Sequence, residues 1–182
     1  MNGKKAYVYF ISPTQVNILT PPDALAGSVQ VQLTNNGVTS NIVTVQAQAQ
    51  SLSFFEFFSS GNHYVYGRHL DGGLIGPPSL FPGLTTPVKP GEIVYVAANG
   101  FGPTDVPVIN GAVTQTGNLP LPFPVVKIGG TPATVSFAGL AGVGTYVIFL
   151  KVPSDAPDGD LALTATYNGL SIQSNLLITV QH

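Results

Sequence analysis

Leu161-Ala162-Leu163-Thr164-Ala165-Thr166-Tyr167-Asn168-Gly169 is the stretch that decides the fold. Leu161, Leu163 and Ala165 alternate with Ala162, Thr164 and Thr166, the period-two pattern of a strand with one buried face. Asn168-Gly169 then supplies the two residues that tolerate positive φ in a tight hairpin turn. The same order occurs earlier: Val29, Val31 and Leu33 alternate with Gln30, Gln32 and Thr34, and Asn36-Gly37 follows. Each run therefore predicts a β-hairpin, completed by Ile42 to Val45 in one case and Leu176 to Val180 in the other.

Working outward, the similarity extends over Gly3 to Gln46 and Gly130 to Gln181. Ala6-Tyr7-Val8-Tyr9-Phe10 returns as Ala133-Thr134-Val135-Ser136-Phe137. Pro21, Asp23, Ala24, Gly27, Thr34, Asn36 and Gly37 return as Pro153, Asp155, Ala156, Gly159, Thr166, Asn168 and Gly169. Both copies close on Thr-Val-Gln, at Thr44-Val45-Gln46 and Thr179-Val180-Gln181. A repeat fixes architecture before any local reading does. The second copy follows strand-like sequence from Lys89 to Gly130, whereas the first has almost nothing before it. The expectation is two β-domains, the first opening partway through.

No segment carries a sustained apolar stripe of helical period, and 21 Gly and 16 Pro are spread along the chain. These break long helices, so an all-β fold is expected, with at most a turn at Ser12-Pro13-Thr14-Gln15. Phe54-Phe55-Glu56-Phe57-Phe58 is apolar on both faces and predicts a strand buried between sheets; an exposed patch that recruits a partner is the other reading. His63 to Leu70 reads as one strand turned by Asp71-Gly72-Gly73. Gly76 to Pro90 reads as a long loop and Gly91 to Ala97 as a core strand. Thr104 to Leu121 reads as irregular or short-stranded. About seven or eight short strands with turns between them suggest a β-sandwich.

Composition narrows function. Charged residues are 8% of the chain, well under the usual level of about 25%, which suits extracellular β-proteins better than cytosolic enzymes. Six basic residues, scattered except for Lys4-Lys5, do not make a phosphate-binding surface, so no nucleic-acid partner is expected. No apolar run approaches the roughly 18 residues that span a bilayer, so membrane insertion is not expected either. Met1 to Lys5 leads directly into a strand without the pattern of a signal peptide; export would need a signal further upstream. With no cysteine, thiolate chemistry, disulfides and Cys-based metal sites are excluded.

Taken in order, Pro90-Gly91-Glu92-Ile93-Val94-Tyr95-Val96, Gly100-Phe101-Gly102, Ile128-Gly129-Gly130, Val152-Pro153 and the Asn168-Gly169 hairpin look like an IPT/TIG-type immunoglobulin-like domain. More closely, Tyr9-Phe10-Ile11-Ser12-Pro13-Thr14-Gln15-Val16-Asn17, His69-Leu70-Asp71-Gly72 and Asn99-Gly100-Phe101-Gly102-Pro103-Thr104 resemble the Solibacter C-terminal family, an uncharacterised module at the end of exported acidobacterial proteins. The resemblance spans nearly the whole chain, except that such modules carry a fuller first sandwich. It implies two immunoglobulin-like sandwiches in tandem: a partial one at 1–46, a linker at 47–51 and a complete one at 52–182. It also implies secretion, attachment to larger surface or secreted proteins, and no known catalytic activity.

Candidate chemistry is sparse. His63 and His69, six apart on one strand, would share a face with Asp71, and a His-Asp pair can orient a general base or hold a metal. No Gly-x-Ser-x-Gly elbow accompanies them, and a hydrogen-bonded hairpin end is the simpler reading. Asp155, Asp158 and Asp160 crowd one loop as calcium ligands do, but they lack EF-hand spacing, and Asp is also a turn former. Gly139-Leu140-Ala141-Gly142-Val143-Gly144 does not open a helix and reads as a flexible connection rather than a nucleotide loop. Tyr7/Tyr9 and Tyr64/Tyr66 each place two rings on one face, a platform on which a sugar could stack, although half-buried packing is the plainer account. Arg68 is the sole arginine, expected to pair with Asp71 or Glu56. No catalytic, cofactor-binding or metal-ligating residue is assigned, and no cofactor is expected. The expected function is a non-catalytic extracellular or cell-surface structural and adhesive module, acting through a protein partner or self-association by strand complementation. A carbohydrate-binding accessory module is the alternative.

Overall fold

A computed structural model describes residues 1–21, 26–109, 112 and 114–182. Asp23 and Ala24, which the repeat aligns with Asp155 and Ala156, lie outside the described residues. The fold is all-β, with no helix among the described residues. The first repeat copy forms β1 (Tyr7–Ile11), β2 (Val16–Leu19), β3 (Gly27–Val31), β4 (Thr34–Asn35), β5 (Val38–Thr39) and β6 (Val43–Ala47). Next come β7 (Ser53–Phe54), β8 (Glu56–Ser59), β9 (Asn62–Val65), β10 (Gly67–His69), β11 (Leu74–Ile75), β12 (Thr85–Thr86), β13 (Ile93–Asn99), β14 (Gly117–Asn118) and β15 (Val125–Ile128). The second copy forms β16 (Thr131–Gly142), β17 (Thr145–Lys151), β18 (Gly159–Tyr167), β19 (Leu170–Ser171) and β20 (Leu176–Val180).

Two of the three strand pairs of the copies match residue for residue. Antiparallel β1 and β2 align Tyr7 with Leu19, Val8 with Ile18, Phe10 with Asn17 and Ile11 with Val16. Strands β16 and β17 align Thr134 with Lys151, Val135 with Leu150, Phe137 with Phe149 and Ala138 with Ile148. One strand is offset by 127 residues (Tyr7 to Thr134) and the other by 132 (Leu19 to Lys151). Even the bulge recurs, at Tyr9 and at Ser136. The Asn-Gly hairpins match as well: Thr34 and Asn35 face Thr39 and Val38, as Thr166 and Tyr167 face Ser171 and Leu170. Asn36 and Gly37 have φ of 48° and 80°, Asn168 and Gly169 of 52° and 79°, the left-handed pair a two-residue hairpin requires. The β3–β6 pair departs: Val29 faces Val45, while its counterpart Leu161 faces Ile178. Relative to the shared Thr-Val-Gln this is a slip of two residues, which leaves every side chain on its own face.

What differs is the company the strands keep. In the second copy they join a curled 14-stranded sheet running β12-β11-β10-β13-β17-β16-β15-β18-β20-β9-β8. Single strand β15 bridges β16 and β18, and β13 covers the far edge of β17. In the first copy no described strand takes either place, and the strands stand as the separate ribbons β1–β2, β3–β6 and β4–β5.

The core lies in the curled sheet. Val94, Val96, Ala98, Val126, Ile128, Ile148, Leu150, Leu163, Leu176, Ile178 and Val180 point into it from alternate strand positions. Phe101, fully buried, is ringed by Phe54, Tyr146 and Tyr167 at centroid distances of 6.0, 5.9 and 6.1 Å. It is held by the turn at Gly100, where an added Cβ would stand 1.9 Å from the Ser51 carbonyl oxygen. Ser51 donates its N–H to the Gly100 carbonyl, and the Gln50 amide donates to that of Phe101. Residues 50–51, expected to be linker, are thus tied down, Ser51 by its backbone and Gln50 by its side chain.

Several expectations need correction. The Phe54–Phe58 run is not one buried strand. It breaks at Phe55, whose N–H turns to the Ala97 carbonyl while its own carbonyl accepts from Tyr66. Phe54 is buried, but Phe55 is exposed and Phe58 is 68% exposed. His63–Leu70 likewise divides at Tyr66: β9 pairs with β8 and β20, β10 with β11 and β13. The loop 76–90 carries β12 and a parallel bridge from Val88 to Val180. The glycine-rich 139–144 is no flexible connection. Gly139 to Gly142 continue β16, and Gly139 lies against β14, where a Cβ would meet the Gly117 carbonyl oxygen at 2.5 Å.

Candidate functional site: the open first repeat copy and a histidine clasp

Closely similar pairing with unlike burial makes the first copy the most distinctive surface of the protein. Among the described residues of 1–46, only Pro21 and Val29 are buried. Val8, Tyr9, Phe10, Ile11, Leu33, Val38, Ile42, Val43 and Val45 are all exposed. The counterparts Ala138 of Ile11, Ala165 of Leu33 and Val180 of Val45 are all buried. Alternation gave the first copy an apolar face, and no other described strand covers it.

His69 and Asp71 line one cleft, while His63 stands apart from them on β9. His63 Nδ1 lies 2.7 Å from Glu56 Oε1 on the neighbouring strand, under the Phe58 ring. His69 Nδ1 lies 2.6 Å from Glu92 Oε1, and its Nε2 lies 2.9 Å from Thr86 Oγ1 and 3.2 Å from the Thr86 carbonyl oxygen. Glu92 Oε2 accepts the Lys89 N–H, while Asp71 Oδ1 accepts that of Gly73. The cluster edges an open cleft of about 740 Å³ lined in part by Asp71, Lys89 and Ile93. The sequence reading missed Glu92 and Thr86, which are 23 and 17 residues from His69. The only hint was Pro90-Gly91, a turn that brings Glu92 to the head of the strand beside β10.

Hydroxyl, imidazole and carboxylate stand here in the order of a hydrolytic triad. The amides of Gly72 and Gly73 in the adjoining turn are bonded to the His69 carbonyl and to Asp71 Oδ1. What the arrangement does is clasp: a carboxylate accepts at Nδ1, and Nε2 meets the loop at Thr86, tying β12 to β10 and β13.

The remaining candidates are engaged structurally. Tyr64 is buried, and its hydroxyl donates to Asp160 Oδ2 at 2.8 Å. Burial first, then that bond, raises its pKa above the ordinary tyrosine value. Tyr64 therefore offers no open stacking face, the half-buried Tyr66 ring meets Phe57 edge-on and has the Arg68 guanidinium over it, and Tyr9, though exposed, sits in the β1 bulge, out of step with Tyr7. Asp160 also accepts from the Thr179 hydroxyl at 2.6 Å. Asp158 accepts from the backbone and ring of His182, and the ring bond holds its pKa below the usual carboxylate range. Asp158 and Asp160 thus turn to different partners, and no group of three or more metal-ligating side chains is found among the described residues. Arg68 pairs with neither expected acid: its guanidinium donates to the Gly72 carbonyl at 2.5 Å and to the Tyr66 hydroxyl at 3.2 Å. Among the described residues no helix is long and apolar enough to cross a membrane. Compared with known proteins, the chain matches no family model, no curated protein and no solved structure.

Proposed function

We propose that this protein is a non-catalytic structural or adhesive module of an exported bacterial protein, built as tandem immunoglobulin-like units of the Solibacter C-terminal type. It acts at the cell surface or outside the cell by protein–protein contact through its first repeat copy. One observation carries the reading: the first copy repeats the strand pairing of the second yet leaves its apolar face and sheet edges uncovered. Open edges of this kind are where proteins add strands from a partner. The low charge and the absence of cysteine agree with an exported β-protein.

The test is light scattering across a wide dilution series, with amide exchange measured on the same samples. The expected result is mass that rises with concentration, together with protection gained within residues 1–46 alone. A monomer at every concentration, with first-copy amides already as slow as those of β16 to β20, would overturn the proposal.

A further inference from the structure

The loop around Thr86 is held without help from His69. On one side the buried Thr85 donates its hydroxyl to the Pro77 carbonyl at 2.8 Å, and Gly76 donates its N–H to the Thr86 carbonyl at 3.0 Å. On the other side Val88 donates to the Thr179 carbonyl and accepts from the Gln181 N–H, at 2.9 Å each. The backbone of Thr86 therefore has its place already. Its hydroxyl is nonetheless directed to His69 Nε2, 2.9 Å away, at an exposed residue lining the cleft.

The partners of the two ring nitrogens place the protons. Glu92 Oε1 lies 2.6 Å from Nδ1, and a carboxylate only accepts, so Nδ1 carries a proton. In the neutral ring Nε2 is then an acceptor, and the Thr86 hydroxyl donates to it. The Thr86 carbonyl oxygen, 3.2 Å from the same nitrogen, accepts from it once Nε2 takes up a proton. The carboxylate is itself held, because Glu92 Oε2 accepts the Lys89 N–H at 2.8 Å. The His69 and Glu92 side chains are only 13% and 25% exposed, whereas Thr86 is open to solvent. Hydroxyl, base and orienting carboxylate thus stand each within hydrogen-bond reach of the next, the signature of an activated nucleophile. Leu70, Pro87 and Ile93 give the cleft apolar walls, and among the described residues Lys89 is the only cation lining it.

We propose that Thr86 is an acyl-acceptor site, modified by neutral esters that carry a small apolar acyl group. Thr86 Oγ attacks the ester carbonyl carbon while His69 Nε2 takes the hydroxyl proton. The imidazolium is held between the Glu92 carboxylate and the Thr86 carbonyl. The bond from the acyl carbon to its leaving oxygen breaks, His69 passes the proton to that oxygen, and an alcohol departs. The chain keeps the acyl group as a threonine ester, and nothing is oxidised or reduced. Lys89 supplies positive charge to the cleft in which negative charge gathers on the ester oxygen. Asp71 and Glu92 on the walls disfavour acidic acyl groups. The site goes beyond the contact reading and does not rest on it: acylation is a single covalent event, without turnover.

The probe is p-nitrophenyl acetate, incubated with the full chain and followed by peptide mapping. The expected result is an acetyl group on Thr86 that hydroxylamine removes, as it removes esters, while acetyl-lysine survives. Thr86→Ser, which keeps the hydroxyl, is acetylated as well. Thr86→Val, which keeps the shape, is not, although slow amide exchange at Gly76 shows its loop still in place. His69→Gln slows acetylation of Thr86 about a hundredfold, the usual share of a positioned base. Acetyl groups on lysines and the N-terminus alone overturn the site, as does a Thr86 rate that His69→Gln leaves unchanged. Steady release of p-nitrophenol that Thr86→Val abolishes supports the nucleophile and overturns the single event, and with it the non-catalytic reading. Self-association is the same in Thr86→Val as in the parent chain, so failure of the acyl site and failure of the contact module are read separately.

Discussion

Val45 and Val180 stand in the same Thr-Val-Gln at the close of the two copies, and the same substitution tests them very differently. Val180 is 1% exposed and bridges to the fully buried Val88; Val45 is 40% exposed. Val180→Ala removes two carbon groups' worth of buried apolar contact, about 1.6 kcal/mol at about 0.8 kcal/mol each. It also opens a cavity beside Val88, so the expected loss is about 2–3 kcal/mol. Val45→Ala gives up roughly half the transfer contribution and opens no closed cavity, so the loss is about 1 kcal/mol or less. Urea unfolding at high dilution, with amide exchange assigned separately to β6 and β20, reads both numbers. Dilution matters because a partner on the first copy would bury Val45. Equal losses at both positions, at concentrations where the protein is monomeric, would refute the reasoning, since they would mean that the first copy packs as tightly as the second.

Gly100→Ala should be among the most damaging single changes, about 3 kcal/mol or more, because its Cβ meets the Ser51 carbonyl oxygen at 1.9 Å at a φ of 72°; Gly37→Ala, with a φ of 80° but nothing within 4 Å, should cost only about 1 kcal/mol, and thermal melts separate the two. Glu92→Gln keeps the shape of the His69 clasp but removes its charge, and should cost about 1 kcal/mol in this half-exposed site, with faster exchange of the backbone amides at Thr86 and Val88. Tyr146, Tyr64 and Tyr167 all have their pKa raised, in each case chiefly by burial. Their contribution is therefore complete below the ordinary value of about 10 and is lost as pH rises past it, because the unfolded chain ionises first. Urea midpoints should accordingly fall between about pH 9 and about pH 11, less steeply in Tyr146→Phe.

Local order was written plainly in the chain. Alternation at Val29–Leu33 and Leu161–Ala165 set the strands, Asn36-Gly37 and Asn168-Gly169 set the hairpins, and the repeat marked the two stretches whose strands pair alike. These features depend on φ preference and on period two, which act over a few residues. The His63–Leu70 strand misled because its one local mark, Gly67, does not say where the chain goes after Tyr66; the reason for that glycine, a Cβ that would meet the Tyr95 carbonyl oxygen at 2.6 Å, lies on a neighbouring strand. The phenylalanine run misled for the same reason: Phe54 and Phe58 are alike in sequence, and only the bond from Phe55 to Ala97 separates buried from exposed.

The sequence alone determined that the chain is all-β, that it contains one pairing scheme twice, and that it lacks thiol chemistry and a cationic face. Only the tertiary structure decided which copy would bury its apolar side. That outcome turns on β13 and β15, strands whose own sequences look ordinary, which lie beside β17, β16 and β18 and have no counterpart among the described strands beside β1, β2 and β3. Hydrophobic burial depends on what stands opposite a residue, and the residue's own identity does not carry that information.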